Sequence, residues 1–163
     1  MKPHQVFARL SEERAFALLE KVKEKLPGVY TQAVGAACVT LKARPQFMMK
    51  QPKQKRAQFV KQALSRFAAG PIAEEVLAAY FLEVRRDLLT EWLDALGIEH
   101  ENGVLKQDNP AAPAREQLET AVAKFRGGAD PDDRQLLLEA FAAQSAVDWP
   151  ALDAVLGVEA APA

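Results

Sequence analysis

The chain has 163 residues, 49% apolar and 26% charged, and its 21 basic and 22 acidic side chains leave a formal net charge of −1. A chain of that length buries roughly 70% of its unfolded surface, so a core can form without metal or disulfide staples. One cysteine excludes an internal disulfide, two histidines 96 positions apart exclude the zinc patterns, and no apolar stretch is long enough to span a bilayer.

Abundant alanine and few β-branched residues favour helix over sheet. Residues 1–14 hold no continuous apolar run of the kind a secretory signal carries. Ser11 is placed to cap a first helix, with Glu12 and Glu13 at its positive end and an apolar stripe of Phe16, Leu19, Val22 and Leu26. Pro27-Gly28 ends it. A second helix is predicted over residues 29–42, where Cys38 lies among small apolar residues and reads as a buried packing thiol. Arg44-Pro45 breaks that helix.

Residues 46–51 lie between two prolines and read as too short for a stable helix. Phe47, Met48 and Met49 are expected to plug the bundle, or to offer an apolar contact if exposed. A third helix follows over residues 52–69, burying Phe59, Val60, Ala63, Leu64 and Phe67. Gly70-Pro71 separates it from the longest helix, over residues 72–96, whose apolar arc of about half the circumference marks it as the central element. Gly97 is its predicted C-cap.

Residues 98–105 read as a hairpin with a two-residue Asn102-Gly103 turn, pairing His100 with Leu105 and setting Glu99 opposite Lys106. A stiff proline linker occupies residues 109–113. Helices then follow over residues 113–126, from Pro131 with Asp130 as cap, and near 150–157, and the tail at 159–163 is expected to fray. The predicted fold is all-α, an irregular bundle of about seven helices with one short β-hairpin. Residues 1–108 form the main body, and residues 109–163 form a small subdomain packed on it within one globular unit.

Charge is sorted along the chain. Residues 25–73 carry nine lysines and arginines and no aspartate or glutamate, against twelve basic and twenty-two acidic residues elsewhere. A field of one sign draws a partner of the other. Lys53, Lys55 and Arg56 fall in the first turn of the third helix, where each exposed cation opposes the helix dipole by about 0.3 to 1 kcal/mol. Backbone N–H groups and basic side chains together describe an anion site there. Lys42, Arg44 and Lys50 can enlarge it, whereas Lys61 and Arg66 lie on different sides of the helix wheel.

Other chemistry is sparse. There is no phosphate-cradling glycine loop and no nucleophile turn. Asp130, Asp132 and Asp133 lack the later oxygen ligands of a calcium loop and read as helix capping. No metal and no cofactor is expected. Glu74 and Arg85 fall on the apolar side of the long helix, as boundary residues or as charges paired across an interface. His100 reads as structural, because Glu99 and Glu101 point to the opposite strand face.

The leading expectation is a soluble, cytoplasmic, non-enzymatic interaction protein that binds an acidic protein partner through residues 42–66, without a membrane role. A plainer reading has the same cations neutralised by the protein's own acidic remainder. One alternative is a sequence-independent nucleic-acid binder using the same segment. The acidic surplus after Gly70 and the lack of interleaved aromatics weigh against it. The other alternative is an enzyme with a polar cleft around Glu74, Arg85 and His100.

Overall fold

The structure, a computed structural model, describes residues 1–158; the tail at 159–163, expected to fray, lies outside them. Among the described residues the fold is all-α apart from one two-stranded hairpin, and it divides into two compact units, Lys2–Val84, and the part from Arg85 onward together with Met1. Among the described residues there are ten α-helices, three more than the sequence pattern announces. Six of the ten carry proline in their first turn, where a fixed φ is already helical and the missing N–H goes unused.

The first unit opens with a helix the sequence reading lacks, α1 (Pro3–Arg9), whose Val6 and Phe7 are fully buried. Its N-terminus is closed by the Gln5 side chain, which accepts the Lys2 N–H at 2.8 Å. Next comes α2 (Glu12–Lys25), capped as expected: Ser11 Oγ accepts the Arg14 N–H at 3.1 Å, acids fill the first turn and lysines the last. The third helix, α3 (Pro27–Leu41), buries Tyr30, Val34 and Cys38 and stops where Lys42 turns left-handed.

Between the two prolines the chain is helical after all, as α4 (Pro45–Lys50). Six residues cannot hold a helix by propensity, but tertiary packing can, and Met48 supplies it by being wholly buried. Two shorter pieces replace the expected third helix, α5 (Lys53–Leu64) and a 3-10 turn (Phe67–Ala69).

The predicted long helix is also broken. It is α6 (Gly70–Ala79), a π turn (Tyr80–Val84), an interruption at Arg85 with φ −121° and ψ 44°, and then α7 (Arg86–Ala95). The extra residue in the π turn lets Tyr80 and Phe81 both bury, edge to face at 5.0 Å. The wide apolar arc is therefore shared by two helices in different units.

From Arg85 onward the elements are α7, the hairpin β1 (His100–Glu101) and β2 (Val104–Leu105), α8 (Arg115–Arg126), α9 (Pro131–Ala143) and α10 (Pro150–Leu156). The hairpin has the predicted register, His100 opposite Leu105, with Asn102 at φ 51° and Gly103 at φ 92° as a type I′ turn requires. Gly97, at φ 67°, ends the helix before it as predicted.

The most enclosed helix is α9, buried on nearly every side from Arg134 to Ala143. Trp92 lies at the centre of this unit's core, 5.3 Å from the Phe125 ring and 6.0 Å from Phe141, which meets Trp149 in turn. The proline linker is tied into the same unit. Trp149 Nε1 donates to the Pro110 carbonyl at 2.8 Å, and the Asn109 N–H donates to Ala146 at 3.0 Å. Division by compactness thus falls at Val84/Arg85 rather than at 108/109.

Candidate functional site

Most of the basic segment is exposed: Lys42, Arg44, Lys50, Lys53, Lys55 and Arg66 reach solvent and Lys61 is half-buried. Arg56 is the exception and a correction, being only 6% exposed. Four, seven and eight positions after it come Val60, Ala63 and Leu64, so it stands on the buried stripe of α5. Its guanidinium donates to the Met49 carbonyl at 3.1 Å and lies 3.8 Å from the Met49 sulfur, tying α5 to the end of α4. It also faces the Tyr30 phenol, whose pKa burial raises and the Arg56 charge pulls back down.

Lys55 and Lys61 of α5 and Arg66 just beyond it line a groove of about 610 Å³ along that helix, which Lys53 does not enter. Lys55, Phe59 and Gln62 succeed one another at helical spacing, Lys61 joins from the adjoining row, and Arg66 enters from the turn after α5. The Lys55 ammonium stands 5.8 Å from the Phe59 ring centroid, within cation–π range. Across the groove Glu12 is occupied by Gln58, which donates to it at 2.9 Å. So Lys61 and Arg66, expected on different sides of the helix, open into one groove.

Among the described residues no carboxylate forms an ion pair with Lys42, Arg44, Lys50, Lys53, Lys55, Lys61 or Arg66.

The expected apolar plug is split. Met48 points inward, while Phe47 and Met49 on the same short helix are 54% and 53% exposed. Lys42, Arg44 and Lys50 stand around them in sequence, and Val39, one turn before Lys42, is exposed as well.

In the second unit the charges are engaged with one another. Arg85 binds Asp87 and Asp130, each at 3.1 Å, and Asp133. The bonds to Asp87 and Asp133 raise the Arg85 pKa against the opposing effect of burial, and the Asp87 carboxyl is held below its usual value in return. Asp130 is therefore not a side-chain cap. It sits left-handed at the head of α9 with its carboxylate turned to Arg85.

Arg134, which sequence reasoning passed over, is 7% exposed. It grips both Glu91 oxygens at 2.7 and 2.9 Å, donates to the Ala129 and Phe125 carbonyls, and covers the Phe125 ring at 4.6 Å. A bulky side chain one turn into a helix that follows Gly127-Gly128 is the faint signal it left.

His100 accepts the Gly103 N–H on Nδ1 at 3.1 Å, which assigns its proton to Nε2, 2.8 Å from Asp94. Thus Arg85 and His100 each have carboxylate partners within this unit, whereas Glu74 lies on α6 of the other.

The boundary at Val84/Arg85 is also an electrostatic one. Lys2–Val84 contains fourteen basic and seven acidic residues, and the sequence from Arg85 onward contains seven basic and fifteen acidic. No helix among the described residues is long and apolar enough to cross a membrane. Comparison with protein-family models, with curated proteins and with solved structures gives no match.

Proposed function

We propose that the chain is a non-enzymatic binding protein whose Lys2–Val84 unit captures an acidic protein partner in the α5 groove. One observation carries the reading. Lys55, Lys61 and Arg66 enter a single groove beside the Phe59 ring, and no carboxylate among the described residues pairs with them. Three cations with one shared concavity steer an acidic surface and fix its register. Gln62 on the same wall adds a neutral group that bonds carboxylate or backbone.

The test is an anisotropy titration of labelled poly-L-glutamate with the full chain at low salt. Binding should weaken as salt rises. It should fall roughly tenfold or more, about 1.4 kcal/mol, in the triple variant Lys55→Glu, Lys61→Glu, Arg66→Glu, with the far-UV circular dichroism unchanged. Equal binding by the triple variant would overturn the groove assignment. Duplex DNA, titrated in parallel, gives the competing outcome: tighter binding with a log–log salt slope near about −0.9 per phosphate neutralised would make the partner a nucleic acid.

A further inference from the structure

The exposed apolar side chains supply a second contact that the groove does not use. Phe47 is a half-exposed knob on α4, on the other side of that helix from Met49, and the charged residues near it in sequence, Lys42, Arg44 and Lys50, are all basic, Arg44 and Lys50 being three positions before and after it. The acidic unit holds the converse shape. A crevice of about 340 Å³ is lined by Leu96, Ile98, Pro110 and Pro113, with Glu99 at its wall. Roughly 150 Å³ suffices for a benzene ring, so the crevice admits one aromatic side chain.

Its surroundings are mainly acidic. Glu99 and Glu101 share a face of the hairpin with the exposed Val104, and Asp108 is exposed nearby in sequence; Lys106 is the one cation on that face.

We propose that a second copy of this chain fills the crevice: Phe47 of one molecule enters it on the next, and Lys42, Arg44 and Lys50 meet Glu99, Glu101 and Asp108. Knob and crevice are different surfaces of the same chain, so the contact is heterologous. It propagates head to tail into a ring or an open array, depending on the rotation between copies. Because it is small and rimmed by charge, it is reversible, salt-sensitive and concentration-dependent. It also leaves Lys55, Lys61 and Arg66 available to a different partner.

Sedimentation velocity of the full chain decides the matter. At low salt the weight-average mass should rise across two decades of concentration, and added salt should return it to that of the monomer. The variant Phe47→Ser should stay monomeric. So should a corner-reversed variant (Lys42→Glu, Arg44→Glu, Lys50→Glu) and a hairpin-reversed variant (Glu99→Lys, Glu101→Lys), each alone. An equimolar mixture of the two reversed variants should associate again, one with the other. All these side chains are exposed, and unchanged circular dichroism certifies the fold.

A wild-type mass independent of concentration would overturn the proposal. So would association that survives Phe47→Ser, or a mixture that fails to associate. Poly-L-glutamate binding by the corner-reversed variant keeps the two readings apart, since it depends on the α5 groove and not on the knob.

Discussion

The Arg134 guanidinium lies over the backbone of Gly128, in the space that a Cβ there would occupy. Glycine is required at this position by close approach rather than by a turn. Gly128→Ala should push the guanidinium off Glu91 and off the Ala129 and Phe125 carbonyls, leaving buried charge poorly matched. The expected cost is about 2 kcal/mol or more, read by urea denaturation. If the mechanism is right, Glu91→Ala should cost less in the Gly128→Ala background than alone, a coupling that a double-mutant cycle measures.

The same arginine sets part of the acid response. Hydrogen bonds from Arg134 hold the Glu91 carboxyl below its ordinary 4.5, and those from Arg85 hold Asp87 below 3.8. A depressed carboxyl stabilises the fold above its ordinary value, and that contribution disappears as pH falls through the lowered one. Stability should therefore decline on acidification below about pH 4.5. Glu91→Gln should be less stable than wild type at neutral pH and converge with it in acid. A gap that stays constant down to about pH 3 would remove the linkage.

Arg56 and its sequence neighbours should behave oppositely. Replacing exposed Lys53 or Lys55 with alanine should change stability by no more than about 0.5 kcal/mol. Arg56→Met should cost about 2 kcal/mol, because it orphans the Met49 carbonyl within a half-buried junction. It should also move the Tyr30 ionisation further upward, since the Arg56 charge is what restrains the rise due to burial. Alkaline absorbance titration of the tyrosinate band reads that shift directly.

In the hairpin, Gly103→Ala should cost roughly 1 to 2 kcal/mol, because φ 92° is hostile to any Cβ. The damage should be local. Amide exchange at Lys106, whose N–H bonds the Glu99 carbonyl at 3.2 Å, should quicken, while exchange in α5 stays unchanged.

What could be read in the chain was punctuation. Ser11 as a cap, Gly97 as a stop and Asn102-Gly103 as a turn are local geometries that residue chemistry dictates, and each stands where the residues put it. The misreadings share a cause in tertiary packing. A six-residue helix at residues 45–50 exists because Met48 found a cavity to fill. The helix expected over 72–96 breaks because Tyr80 and Phe81 both turn inward and Arg85 is drawn to aspartates 45 and 48 positions away.

The candidate site was visible as a run of cations, but not its membership. Arg56 belongs to the core by the same spacing that identifies Val60 and Leu64, a clue outweighed by its charge. The convergence of Lys61 with Arg66 depends on the turn after Leu64, which no helical wheel contains.

Segregation of the two signs at Val84/Arg85 has a practical corollary. A protein with a total of −1 would ordinarily pass through either kind of ion exchanger near neutrality. Here the fourteen-to-seven half should adhere to a sulfonate resin at low salt and the seven-to-fifteen half to a quaternary amine resin. The molecule should be retained by both columns, each holding it by the opposite end of the sequence.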